Sequence, residues 1–171
     1  HFSFVCMAGL IVLTPVLTEL LRPVAQPLRP AFRGILEIPP SAADGERSLA
    51  EMGVKGHTML LSDISDKTQV DSMFDRIERE AGTLDILVNN AANQGLGHGG
   101  PLEMAPEKFN EVFGVNVVGG FQVTQAACNR FFMKKPYEVG GPYRGTVVFL
   151  SSNTAMRAIR NRTAYCASKG A

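Results

Sequence analysis

Tyr165 and Lys169 stand four residues apart in the run Tyr165-Cys166-Ala167-Ser168-Lys169. On a helix that spacing puts both side chains on one face. A cation beside a phenol favours the phenolate, which suits a tyrosine to give or take a proton at a carbonyl or an alcohol. Ser152 lies 13 residues upstream of Tyr165. It closes an apolar run that reads as a strand, and a hydroxyl there can hydrogen-bond a reacting oxygen. A Tyr-x-x-x-Lys pair alone is a weak signal, because it also arises by chance. The pair set behind a serine at a strand end is more specific.

The elements around these residues alternate between two periods from about residue 58. Residues 58–61 form a short apolar run that ends in Ser62-Asp63-Ile64. Val70, Met73, Phe74, Ile77 and Ala81 then place one apolar stripe on a helix. Asp66 is its expected N-cap, with Gln69 as capping-box partner and Gly82 as its stop. Residues 84–88 are a continuous apolar run, as in a strand buried on both faces, and they end in Asn89-Asn90-Ala91-Ala92. Beyond a Gly-rich loop at 94–100, a second helix opens near Pro106. Its inward stripe reads as Phe109, Phe113, Val117, Phe121, Thr124, Cys128 and Phe131. A polar connection at 134–144 leads to a strand at 146–150, and a third helix opens near Thr163.

Strands separated by helices imply crossovers, a parallel sheet and a doubly wound α/β domain. Ligands of such domains sit beyond the carboxyl ends of the strands. All three apolar runs deliver polar residues to that edge: Ser62-Asp63, Asn89-Asn90 and Ser151-Ser152. For any single strand these are ordinary capping and turn residues. Their agreement across three strands is what points to a site.

Residues 1–57 read less regularly. Segments 10–13 and 35–37 are expected as short strands, joined by a helix that Pro23, Pro27 and Pro30 break. A further short helix is expected at 44–52. Residues 2–21 are apolar, but Thr14, Pro15, Thr18 and Glu19 interrupt them and no basic segment precedes them, which argues against an anchor or leader. With His1 in place of a methionine, the chain is expected to be a fragment.

At 45% apolar and 19% charged, the composition excludes a disordered chain. The net charge of +1, without a Lys/Arg run, favours a small-molecule partner over nucleic acid. Cys6, Cys128 and Cys166, like His1, His57 and His98, lack ligand spacing. Free thiols, a reducing cytoplasmic compartment and no metal are expected.

These motifs together resemble the short-chain dehydrogenase/reductase superfamily, in order, over residues 45–171, with residues 1–44 a poorly matching N-terminal region. Asn89-Asn90-Ala91-Ala92 resembles the family's Asn-Asn-Ala-Gly motif. Asn116, in Val115-Asn116-Val117-Val118-Gly119, resembles its catalytic asparagine, and Ser152, Tyr165 and Lys169 its serine, tyrosine and lysine. The resemblance implies a Rossmann-like doubly wound parallel sheet, here incomplete, with strand order 3-2-1-4-5. It implies hydride transfer between NAD or NADP and a carbonyl or alcohol, as in beta-ketoacyl-carrier-protein reductases and sugar dehydrogenases. Tyr165 would transfer the proton and Lys169 would hold the nicotinamide ribose. Ser152 would position the substrate oxygen, and Asn116 would anchor a relay water. Asp63, Ile64, Asn90 and Ala91 would line the cofactor together with Tyr165 and Lys169. Cys166 occupies a variable position and is expected to be inert. A full-length homo-oligomer is also implied.

Two departures stand out. The family's glycine-rich phosphate loop would fall at Thr14-Pro15-Val16-Leu17-Thr18-Glu19-Leu20-Leu21, which has no glycine. Glycines there would let backbone amides approach a pyrophosphate; with Pro15 and Glu19 in their place, no useful NAD or NADP binding by this chain is expected. The family's later strands and substrate loop would also follow residue 171. The alternative reading is an inactive remnant or interaction module. Glu37, just past the second expected strand, would favour NAD over NADP.

Overall fold

The computed structural model describes residues 60–171, apart from residues 97, 138 and 140–142. The strands expected at 10–13 and 35–37, the helix expected at 44–52, and Thr58 and Met59 lie outside the described residues. The rest of the run at 58–61 differs from expectation, because Leu60 and Leu61 are in irregular backbone. Among the described residues, the sheet consists of two other segments.

Helix α1, Lys67–Ala81, follows its sequence signals closely. The Asp66 carboxylate accepts from the Thr68 amide at 2.8 Å, and Gly82 closes the helix in the left-handed region at φ 72°. The capping box takes a different form, since the Asp66 amide is already bonded to the Asp63 carbonyl at 3.1 Å. The Gln69 side chain therefore reaches three residues further back and accepts from the Asp63 amide at 2.9 Å. Val70, Met73, Phe74 and Ile77 bury one face of α1.

Strand β1, Ile86–Asn89, is buried at every position. It pairs in parallel with β2, Thr146–Phe149, in register from Ile86 opposite Thr146 to Asn89 opposite Phe149. Leu87 packs into the cluster formed by α1 and α3, the helix of residues Gly120–Arg130, alongside Phe74, Val123, Ala127 and Phe131. Ile86 and Val88, whose side chains alternate to the other face, are buried too. Across the α1–α3 seam, Arg130 meets Asp75, Asp71 and Glu78. Such partly exposed pairs add little individually.

The helix expected from Pro106 to about residue 131 is not one regular α-helix. It runs as α2, Pro106–Phe113, then a π-helical turn, Gly114–Gly119, then α3. The wider turn shifts the buried stripe to Val112, Gly119, Gly120, Val123, Ala127 and Phe131. Phe121, expected inside, is 62% exposed. Three β-branched valines with glycines at either end are poor material for a regular α-helix. Close packing also demands the glycine: a Cβ at Gly119 would lie 2.8 Å from Ile64 Cγ1 and 3.0 Å from its carbonyl oxygen. The last helix, α4, Thr163–Gly170, packs against α2 and against the short 3-10 turn Asn153–Ala155.

Candidate active site

Because β1 and β2 are parallel, their carboxyl ends open on the same edge. The segment leaving β2 meets α4 there. Lys169 Nζ donates to the Leu150 carbonyl at 2.8 Å, and Ser151 Oγ donates to the Lys169 carbonyl at 3.0 Å. Burial pushes the Lys169 pKa below the usual lysine range, since an ammonium loses hydration there. Its Nζ lies 5.8 Å from the centroid of the half-buried Tyr165 ring, and the Arg162 guanidinium lies 6.0 Å from the same ring. Two cations thus stand within cation–π range of the phenol.

Ser152 caps the 3-10 turn against which α4 packs. Its Oγ accepts from the Thr154 amide at 3.2 Å and donates to Asn153 Oδ1 at 3.3 Å. The turn fixes the serine beside the helix that carries Tyr165 and Lys169.

Asn116 sits in the π-helical turn, an irregularity that recurs at functional sites. Its Oδ1 accepts from the Asn93 amide at 2.7 Å, and its Nδ2 donates to the Asn93 carbonyl at 3.0 Å and to Ser168 Oγ at 2.8 Å. Both Nδ2 hydrogens are therefore committed. The side chain reaches α4 through Ser168, while Lys169 turns to Leu150.

The residues expected along a cofactor are placed as follows. Asp63 is exposed, and its carboxylate accepts from the Ser65 amide at 2.9 Å and from the Ser65 hydroxyl at 2.7 Å. Ile64 is a core residue, 2% exposed, which leaves its main chain rather than its side chain to meet a ligand. Asn90 is buried just past β1, and Ala91 packs against the core. Asn89 anchors β1 to α3, donating to Thr124 Oγ1 at 2.8 Å.

Sequence reasoning missed Asn93, Ser168 and the contact of Arg162 Nη1 with the Gln94 carbonyl at 2.8 Å. Ser168 stood inside the quoted motif, but its long-range partner left no local signal. Beside α4, a cleft of about 540 Å³ is walled by Leu102, Ile159, Arg160, Thr163 and Cys166. Cys166, expected to be inert, is half-buried there. Among the described residues no helix is long and apolar enough to cross a membrane.

Tyr165 and Lys169 thus stand on a helix bonded to the segment leaving β2 and packed against the turn that Ser152 caps. The family model for short chain dehydrogenase matches residues 35–171, and the chain belongs to that family. It is 33% identical over 108 residues to the 3-oxoacyl-[acyl-carrier-protein] reductase MabA of Mycobacterium avium, covering 63% of this chain and 38% of that protein. It is 32% identical over 131 residues to D-threitol dehydrogenase of Mycolicibacterium smegmatis, covering 74% and 46%. Among solved structures, a short chain dehydrogenase from Mycobacterium smegmatis aligns with TM-score 0.64 and 26% identity over 75% of this chain and 50% of its own. An NAD+-bound xylitol dehydrogenase aligns with TM-score 0.62 and 27% identity over 75% and 46%. The chain spans half or less of the length of these relatives. The fold is the doubly wound α/β fold of that family, with part of it described.

Proposed function

We propose that the protein interconverts a carbonyl and an alcohol by NAD- or NADP-dependent hydride transfer. One observation carries this reading: Tyr165 and Lys169 share the helix α4, which is bonded to the segment leaving β2 beside Ser152. The nicotinamide, when bound, supplies or accepts the hydride. Tyr165 gives a proton to the carbonyl oxygen in reduction and takes it back in oxidation. Lys169 keeps positive charge near the phenol and would hold the cofactor ribose when it is bound, and Ser152 orients the reacting oxygen.

The strand-end residues fit such a cofactor. Ser62 Oγ and Asn89 Oδ1 are buried without a hydrogen-bond partner among the described residues, and Asn89 closes β1 at the edge where this fold seats a dinucleotide. Asp63 and Asn90 stand next to them in the chain. The cleft beside α4 is walled by Thr163 and Cys166 of that helix, and Tyr165, Lys169 and Ser152 are not among its walls. Val118 and Phe121, 50% and 62% exposed, support self-association of the full-length protein, and a cytoplasmic location belongs to the same reading. The stretch at 14–21, without glycine, lies outside the described residues and does not weaken the chemistry assigned to α4.

The test is oxidation of NADH and NADPH by the full-length protein that contains this chain, with 3-oxoacyl and sugar ketones, and the reverse reaction with polyols. Turnover that depends on both cofactor and carbonyl is expected. Its absence across the whole panel would leave the inactive remnant as the better reading.

A further inference from the structure

We infer that Ser168 is a positioning residue, coupling the loop after β1 to Tyr165 and Lys169 through Asn116. The residue is 6% exposed, and its hydroxyl is used in both directions. It accepts from Asn116 Nδ2 at 2.8 Å and donates to the Tyr165 carbonyl at 2.9 Å. A serine bonding a carbonyl one turn back is ordinary in helices. The donor 52 residues away is not ordinary.

Asn116 cannot reach α4 by any other N–H. One Nδ2 hydrogen and Oδ1 clamp the two main-chain groups of Asn93, at 3.0 and 2.7 Å, and only the other hydrogen remains for Ser168. A continuous path therefore runs from the Asn93 backbone, through the π-helical turn, to the backbone of the proton-transferring residue. Packing does not ask for a hydroxyl here. Ala164, one turn earlier on the same buried face, is fully enclosed, and alanine is the better helix former. What Ser168 adds over alanine is the acceptor for Asn116. Without it, the buried amide loses a partner, the loop and α4 lose their common reference, and the phenol drifts from its reacting geometry.

The kinetic half of this inference rests on the proposed hydride transfer; the structural half does not. The test is Ser168→Ala in the same full-length protein, read in two ways. Amide exchange is followed at Asn93, with Val88 as the control for folding. Turnover is followed with saturating NADPH and a responsive ketone. In Ser168→Ala, Asn93 should exchange about tenfold faster with Val88 unchanged. In the same variant kcat should fall about tenfold while KM for the ketone stays within about threefold. Asn93 protection unchanged from the parent would overturn the route through Asn116. Faster exchange at Asn93 with kcat unchanged would overturn the positioning role. A variant that loses Val88 protection is replaced by Ser168→Thr, which keeps the hydroxyl and should leave both readouts within about threefold of the parent; a Thr variant with Val88 protected and either readout shifted about tenfold overturns the inference. A parent chain without turnover overturns the proposed function instead, and Asn93 exchange then decides the coupling alone.

Discussion

Lys169 Nζ donates to the Leu150 carbonyl at 2.8 Å, so the helix that carries the tyrosine is tied to the residue that follows β2. The bond holds a cation in a half-buried place, and burial lowers its pKa from the ordinary lysine range. Below the native pKa, folded and unfolded chains both keep this proton. Between the native pKa and the ordinary lysine value of about 10.4, the native state loses its proton first, so the chain gains stability as pH rises. Lys169→Met should abolish that gain. Urea midpoints of parent and variant, compared from about pH 8 to 10, should diverge with rising pH in favour of the parent's slope. Parallel curves would show that Lys169 is not buried as described.

Asp66→Ala should destabilise the chain by removing the N-cap acceptor of α1. The Asp66 carboxylate accepts from the Thr68 amide at 2.8 Å and from Gln69 Nε2 at 3.1 Å, and hydrogen bonding to the charged form holds its pKa below the usual carboxylate range. Asp66→Asn, which keeps an acceptor, should lose less. Equal losses in the two variants, measured by urea unfolding, would contradict the capping role.

Gly119→Ala should cost about 1–3 kcal/mol, despite alanine's higher helix propensity. The added Cβ meets the Ile64 side chain at 2.8 Å and its carbonyl at 3.0 Å, and a backbone oxygen cannot swing aside. Gly82→Ala should also destabilise, for a different reason: there the space is open and the left-handed φ of 72° is the obstacle. A neutral Gly119→Ala would mean that the π-helical turn stands further from the segment leading into α1 than the structure has it.

The elements most legible from sequence were those whose determinants are local. Asp66 and Gly82 bracket α1 because capping is decided within a few residues, and the apolar run after Leu84 announced a doubly buried β1. The π-helical turn was not legible. A wider turn changes the phase of a stripe without changing its composition, so Phe121 read as buried and Val123 did not. At Leu60 and Leu61 the apolar run read as a strand where the backbone is irregular, since residue type alone does not fix strand pairing. In the candidate site, residue types and order were readable, but partners were not. Nothing near Asn116 in sequence indicates that its amide would be spent on Asn93 and Ser168. Only the fold brings residues 93, 116 and 168 together.

The central claim is that Tyr165 moves the proton, and Tyr165→Phe tests it most directly. The substitution removes one oxygen and keeps the ring that lies beside Lys169 and Arg162. Single-turnover oxidation of NADPH with a responsive ketone, measured in parent and variant, should slow by at least about a hundredfold. Cofactor affinity, read by fluorescence titration on the same samples, should stay within about threefold. A variant that turns over within about tenfold of the parent would contradict the assignment of Tyr165 and, with it, the reading of α4 as the catalytic helix.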